Sequence, residues 1–436
     1  STQETEVWKE FKSKYPAAAS YAWPPRGSDA EYASARVQSS RINFVAKPDE
    51  SSIQRALALM RTNYGKKIEA PKIFTTDYNR DTSRKYLQSL LSYIKLDSSP
   101  GVPLHNLSPT NDGVLKILGD EFLELVLNRI ENLLEIDFVS PRQALEDDMV
   151  DPVRIFVKNE PHKVDKIKEG RVRLIMSVSL VDKMVEKFLN HHVNKHEIAN
   201  WMKLSYKPGM GFTPEMNKYI FQTFNKQGLH NFAEADISGW DWNVKDWMLD
   251  ADVEFRLSIQ TSTAPWYKRL CEQRNEVYKN SVFQLSNGTL LLHPPGIVLS
   301  GSDNTSSTNS HIRDFTVKLV ILMSDETPEV TEVAAMGDDT VEPFIENAQF
   351  LYKQLGLNCK MYKRIDDSFE FCSHMYTPRG AYAVNIVKET MNLLNHNVFL
   401  NEKILLIAQY EYELAFNPDF QEVLEILNGM GWYANL

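Results

Sequence analysis

Cysteine is almost missing from this sequence: Cys271, Cys359 and Cys372 are the only three in 436 residues. Their spacing fits no metal-ligand pattern and an odd number leaves one unpaired, so a disulfide framework is excluded and a reduced, cytosolic protein is expected. Long hydrophobic runs are missing too. The longest strongly apolar stretch, Val317 to Met323, is already interrupted by Lys318, well short of the roughly 18 apolar residues that cross a bilayer. No apolar signal core opens the chain, and no internal repeat or low-complexity tract is visible. Nor is there an excess of positive charge. The balance of 48 basic against 58 acidic residues leaves a net charge of −10, which taken alone argues against a phosphate-rich partner.

The distribution of charge qualifies that sum. Between Arg154 and Arg173 seven basic residues face three acidic ones, a local basic strip in an acidic protein. A hydrophobic fraction of 43% with 24% charged residues is that of a folded chain, and at about 150 residues per domain the length predicts two or three lobes. Residues 1 to about 50 read as polar and irregular, broken by Pro24, Pro25 and Gly27. Helical spacing predicts helices over Ser51 to Arg61, Arg84 to Leu96, Val114 to Leu134 and Val181 to about Lys195. Short β-like runs appear at Val153 to Val157, Arg171 to Met176, Phe232 to Asp236 and Val330 to Met336. An α+β fold class follows.

The third and fourth of these strands run into acidic residues. Asp236 ends its strand just before a Ser238-Gly239 turn signal, and Asp241 follows beyond it. Val333 to Met336 leads into Gly337-Asp338-Asp339 and then Thr340-Val341, a strand, a Gly-assisted turn and a second strand with two carboxylates at its tip. Strand ends that each deliver an aspartate can share divalent cations. Their hard oxygens suit Mg2+, and two such ions roughly 3.5–4 Å apart can activate a hydroxyl and stabilise a leaving pyrophosphate. A Gly-Asp-Asp is also what an ordinary solvated hairpin turn looks like, so its neighbours decide.

Downstream of Pro295 a Ser300-Gly301 loop leads into a helix with apolar residues at Ile312, Phe315, Leu319 and Leu322. Thr305 and Asn309 share a face of it. Glycine where backbone approaches a ligand, followed by hydroxyl and amide side chains, suits recognition of a ribose; a polar helix cap is the plainer alternative. In the basic strip Arg171 and Arg173 alternate along a strand, placed to grip a triphosphate. Lys158 and Glu160 alternate likewise, with Glu160 able to orient a cation. A merely solvated face is the competing explanation.

The order of these segments is distinctive. Lys-Asn-Glu and Arg-Val-Arg-Leu-Ile, then Asp-x4-Asp, then Ser-Gly-x3-Thr-x3-Asn, then Gly-Asp-Asp resembles the ordered motifs of positive-strand RNA virus polymerases. The stretches Asp236 to Asp241 and Ser300 to Asn309 look most like sobemovirus, polerovirus and barnavirus polymerases, with picornavirus enzymes more distant. The resemblance covers roughly Ser98 to Tyr376.

It implies an RNA-dependent RNA polymerase with a right-hand fold of fingers, palm and thumb, in which an antiparallel palm sheet carries the catalytic carboxylates. Residues 1–225 would form the fingers with an N-terminal extension and the first palm elements, 226–376 the palm with an inserted fingers segment, and 377–436 a small thumb. Asp236 and Asp338 would be the principal ligands of two Mg2+ ions, for which Mn2+ can substitute, with Asp339 supporting. Asp241, Ser300 and Asn309 would read the nucleotide 2′-hydroxyl, and Gly301 and Thr305 would shape the template loop. Lys158, Arg171, Arg173 and Lys166 would bind the triphosphate, while Lys360 and Lys363 are both candidates for the general acid. Ser98 to Pro103 resembles the template-entry loop. Expected partners are the RNA template and nascent strand, NTPs, a genome-linked protein primer and other viral replication proteins; the expected location is the host cytoplasm, at membrane-associated complexes reached through partners. A reverse transcriptase usually carries an aromatic residue where Met336 stands and a bulky gate at the ribose, and a capsid protein needs no ordered aspartates.

Overall fold

In the computed structural model, which describes residues 5–395 and 400–432, the strand Phe232–Ser238 runs through a four-stranded antiparallel sheet. Its composition explains the position. Phe232, Ala233, Ala235 and Ile237 are all buried, so both faces of the strand are covered. Asn358–Arg364 pairs with one edge of it and Asp339–Pro343 with the other, and Ala334–Met336 completes the sheet beyond Asp339–Pro343. Behind the hairpin lies the helix Thr305–Met323.

A second sheet joins segments far apart in the chain. Val153–Val157 pairs antiparallel with Leu174–Ser177 and parallel with Val282–Gln284, which in turn pairs with Leu290–Leu292. One continuous core lies between the two sheets and holds Ile155, Met176, Ile237, Trp240, Val298 and Phe315. A third sheet, Phe369–Phe371, His374–Thr377 and Gly380–Ala383, follows the central one in sequence. The mixed helix and strand content with antiparallel sheets agrees with the α+β expectation.

Several elements differ from their expected form. The first fifty residues contain two helices, Glu6–Lys14 and Ser28–Ser40. The second was hidden from hydrophobic spacing because its buried face is largely polar: Glu31 accepts from Ser286, and Ser34 donates to the carbonyl of Val172. Val114 to Leu134 is two helices, Asn111–Leu118 and Glu121–Glu135, parted at Gly119 with φ of 55°. The helix expected from Arg84 starts earlier, at Arg80, where Asn79 caps it through the Thr82 N–H at 2.9 Å. Arg171 and Arg173 lie just outside the strand Leu174–Ser177, although Lys158 N still donates to the Arg173 carbonyl at 2.9 Å. The strand carrying Asp236 continues to Ser238 rather than stopping at the aspartate.

The chain's two ends meet. Trp8, Phe11 and Tyr15 share one core with Met391, Leu414 and Val423, and Thr5 N donates to Asn395 Oδ1 at 3.3 Å. Tyr21–Ala22 then pairs with His162–Lys163 in the basic strip.

The helix Thr305–Met323 was expected to bury one apolar face, but every residue from Ser307 to Val320 is buried. Its polar groups are held by specific partners, as burial requires. His311 sits between Asp252 Oδ1 at 2.6 Å and Glu197 Oε1 at 2.7 Å, while Lys318 pairs with Asp314 at 2.8 Å. Burial alone would push the His311 pKa down; Glu197 and Asp252 overcome it and raise the value to about 9. A histidine raised on folding stabilises the fold fully below its unfolded pKa of about 6.5 and loses that contribution as pH rises through the folded value. The stability difference between wild type and H311Q should therefore shrink between pH 6.5 and 9, by at most about 1.4 kcal/mol per pH unit. Urea unfolding of both proteins across that range measures it, and a constant difference would contradict a charged His311.

Candidate active site

The carboxylates come together by two routes. Asp236 projects from the central strand and stays about half exposed, 47% for its side chain. Asp338 sits at the tip of the hairpin closed by Met336 and Asp339. Gly337 adopts φ of 61° there, a left-handed conformation that glycine enters without penalty. Asp339 turns away from the tip, its Oδ2 accepting from the Cys372 N–H at 2.9 Å. It thereby ties the hairpin to the third sheet, a supporting position.

These groups repel one another. Burial and Asp338 push Asp339 up to about 7, and burial and Asp338 do the same to Asp241. The pKa of Asp338 is raised by its surroundings and by Asp236, with Arg313 opposing. A divalent cation shared by Asp236 and Asp338 would relieve that repulsion, and the donors are all hard oxygens. Among the described residues no three His, Cys, Asp or Glu side chains form a ready-made metal cage. Mg2+ does not need one, because it keeps several waters and takes substrate phosphates as ligands.

The two candidate lysines separate clearly. Lys360, at a bulge between Cys359 and Met361, reaches Asp236 Oδ2 at 3.2 Å. Lys363 lies opposite Glu234, whose pKa burial raises while the Glu370 N–H and Lys363 oppose the shift.

Asp241 lies in the short helix Trp240–Asn243. The Trp240 indole N–H donates to Asn309 Oδ1 at 2.9 Å, which fixes the amide with its nitrogen free to donate to Asp241. That hydrogen bond from Asn309 lowers the Asp241 pKa against the larger effect of burial. Ser300 is placed differently: its Oγ accepts from Met176 N at 3.0 Å. Gly301 N donates to the Met176 carbonyl at 2.9 Å, and a Cβ on Gly301 would stand 2.2 Å from that carbonyl oxygen. The backbone that this glycine approaches is therefore the strand Leu174–Ser177. Thr305 closes the loop by donating to the carbonyl of Leu299 at 2.9 Å.

The basic residues form a wall facing these carboxylates. Arg173 and Lys158 both lower the Asp241 pKa, after burial and Asp338 have raised it. Glu160 is their hub rather than a neighbour of the aspartates: it pairs with Arg173 at 3.0 Å, Lys158 at 3.2 Å and Lys388 at 3.5 Å. Arg171 pairs with Glu169 at 2.6 Å. Burial lowers the Lys166 pKa, and Lys360, Arg171, Lys163 and Arg173 lower it further, so Lys166 belongs to the same cluster. Gly101 of the Ser98 to Pro103 turn packs on Ser179, where a Cβ would meet Cα at 3.0 Å.

Sequence reasoning missed Arg313. It is fully buried and donates from Nε to the Asp338 carbonyl at 3.0 Å. Nη1 reaches Thr316 Oγ1 at 3.2 Å and Tyr352 OH at 2.9 Å; Nη2 reaches Thr340 Oγ1 at 3.0 Å and Glu342 Oε1 at 2.8 Å. The signal was available, since Arg313 is four residues beyond Asn309 on the same helix face.

A family model described as viral RNA-directed RNA polymerase matches residues 9–386. The chain belongs to that family. The replicase polyprotein P2AB of Southern bean mosaic virus is 38% identical over 95% of this chain and 43% of its own length. That of Southern cowpea mosaic virus is 36% identical over 94% of this chain and 43% of its own. Protein P1-P2 of potato leafroll virus is 32% identical over 86% of this chain and 37% of its own. The polymerase chain thus spans less than half the length of these relatives.

Within the polymerase, Arg313 makes five hydrogen bonds that join its own helix, the Asp338–Asp339 hairpin and Tyr352. Arg313→Met should strand the Glu342 carboxylate in the core and cost about 3–5 kcal/mol. Combining it with Glu342→Gln should lose less than the two single changes together. Urea unfolding of the three variants measures both, and additive losses would show that Arg313 and Glu342 do not act as a unit.

Proposed function

We propose that this chain is the catalytic polymerase unit of a viral replicase, copying an RNA template from NTPs by two-metal nucleotidyl transfer. The observation that carries it is the meeting of Asp236 and Asp338, from separate strands, under a wall of Arg173, Lys158 and Lys166. In this reading the central sheet is the palm of a right hand. Residues 1–225 are the fingers with an N-terminal extension, 226–376 the palm with its inserted segment, and 377–436 a small thumb.

Two Mg2+ ions, with Mn2+ as a substitute, would be held by Asp236 and Asp338 with Asp339 in support; when bound they supply Lewis-acid activation of the attacking 3′-hydroxyl and charge neutralisation at the leaving group. The chain's own groups do the rest. Arg173, Arg171, Lys158 and Lys166 hold the triphosphate in line, and Glu160 keeps the basic side chains apart from the carboxylates. The new bond joins the 3′-oxygen to the α-phosphorus, the α–β phosphoanhydride bond breaks, and pyrophosphate leaves. Lys360, beside Asp236, is the better placed of the two lysines to give that pyrophosphate a proton.

The template and nascent RNA are the macromolecular partners. A genome-linked protein primer and other viral replication proteins join them, a reading supported by relatives that are named as replicase polyproteins. We place the complex in the host cytoplasm at membranes reached through partners; no helix among the described residues is long and apolar enough to cross one.

The direct test is NTP incorporation on a primed RNA template with Mg2+. Asp338→Asn keeps the shape of the hairpin tip, because Arg313 bonds the backbone carbonyl there and not the carboxylate. It should abolish nearly all incorporation while leaving the melting temperature unchanged or slightly higher, since one repelling carboxylate is gone. Activity within a few fold of wild type would sink the assignment.

Choice of ribose should follow the Asp241–Asn309–Trp240 chain. A site built to hydrogen-bond a hydroxyl rejects the analogue that lacks it. Asn309→Ala should lower the NTP/dNTP ratio of kcat/KM several-fold to about a hundredfold, the loss of one or two hydrogen bonds. Trp240→Phe, which keeps an aromatic ring beside Arg313 but removes the N–H, should move the ratio in the same direction by less. Equal losses on NTP and dNTP in both variants would make these residues structural.

A further inference from the structure

Beside the catalytic face lies a cavity of about 1000 Å3 that the chemistry above does not use. One wall is the segment 41–45, the other the helix Ala348–Gln354 and the strand beginning at Asn358. The first wall is firmly built. Asn43 N donates to Asn243 Oδ1 at 2.9 Å, and the Asn43 carbonyl accepts from Lys245 Nζ at 2.6 Å. Gly356 lets that segment close in, because a Cβ there would meet Lys245 Cε at 2.6 Å and the Asn43 carbonyl at 2.9 Å.

The lining has one consistent character. Arg41 and Lys353 are its charged groups, and no carboxylate lines it, in a chain whose net charge is −10. Two aromatic rings that gain nothing from water stand open on it: Phe44 is 76% exposed and Phe350 60% exposed. Phe350 and Lys353 are three apart on one helix, so they present a ring and an ammonium on the same face. Apolar rings beside cations with no carboxylate in the lining suit a planar base that carries phosphates, by stacking and charge attraction.

Its position gives the cavity a purpose. Arg41 Nη2 donates to Ser238 Oγ at 2.7 Å, and Ser238 is two residues beyond Asp236 on the central strand. Alternation along a strand puts both side chains on one face of the sheet, so the cavity opens on the side where Asp236 projects. Arg171 of the basic wall lies close enough to Arg41 to lower its pKa, after burial.

We propose that this cavity is a holding site for a nucleoside triphosphate, with the base against Phe44 and Phe350 and the phosphates at Arg41 and Lys353, from which the nucleotide passes to the carboxylates. The inference rests on the polymerase reading and adds a second nucleotide site to it. The same chemistry would serve the 5′-triphosphate end of an RNA, and the free nucleotide is favoured because Arg41 of the cavity is bonded to Ser238, two residues from Asp236.

Titration calorimetry of GTP into the full chain in EDTA tests it, because chelation removes metal-dependent binding at Asp236 and Asp338. Wild type should bind one GTP, and Phe350→Ala with Lys353→Ala should weaken that binding at least tenfold. Both residues are exposed, so the melting temperature should not move; Phe44→Ala on the opposite wall should repeat the loss should it do so. With Mg2+ and primed template, the double variant should show a several-fold higher KM for NTP with kcat within about twofold. No GTP binding by wild type in EDTA, or equal binding by all variants, would overturn the site. A 5′-triphosphorylated oligoribonucleotide that binds the same residues more tightly than GTP would overturn the free-nucleotide assignment. GTP held in EDTA and lost in the variants, from a wild type that incorporates nothing, would sustain the pocket and sink the polymerase reading.

Discussion

A single buried guanidinium holds the Asp338–Asp339 hairpin in place. Arg313 donates to the Asp338 carbonyl and to Thr340 and Glu342 on the following strand, while Tyr352, also bonded to Glu342 at 2.6 Å, closes the ring from behind. Trp240 and Tyr352 lie near its faces, with ring centroids 5.8 and 5.0 Å away. A charge this deep is tolerated only when every donor is met, so hairpin, helix and Tyr352 have one common geometry or none. Asn309, bonded to Trp240, sits one helical turn before Arg313. Its position and that of the aspartates are therefore set by the same helix.

Around that anchor the charges are sorted by depth and by sign. Burial first, and Asp338 second, push Asp241 and Asp339 up to about 7. The facing cations are spread by Glu160, whose pKa is lowered by Arg173, Lys388 and Lys158 against the effect of its own burial. The net negative total of the chain is thus compatible with a phosphate channel. The acids are concentrated around Asp338, and the bases gather about Glu160 and Lys166.

Much of this could be read in advance because it follows from local rules. A fully buried strand reads as an apolar run, a glycine turn marks a hairpin tip, and Asp236, Asp338 and Asp339 fell where those rules put them. What stayed hidden depends on partners distant in sequence. The helix Ser28–Ser40 buries Glu31 and Ser34 against residues beyond 170, so it has no apolar stripe to detect. Ser300 and Gly301 looked like ligand-facing groups, yet both serve a close approach to Met176. That Lys360 reaches Asp236 while Lys363 lies opposite Glu234 depends on a pairing register with a bulge between Cys359 and Met361. Trp240 reads as an ordinary core aromatic until its indole N–H is seen on Asn309.

The core shared by Trp8, Phe11 and Tyr15 with Met391, Leu414 and Val423 has a consequence for synthesis on the ribosome. Its two halves are separated by most of the chain, as the Thr5–Asn395 hydrogen bond across 390 positions shows. At about 5–20 residues per second, the early aromatics emerge roughly 20–80 s before their partners exist. Until then the three rings have only one another and near neighbours such as Ala18 and Tyr21 to pack on. Completion of this core therefore waits until Met391, Leu414 and Val423 have been made.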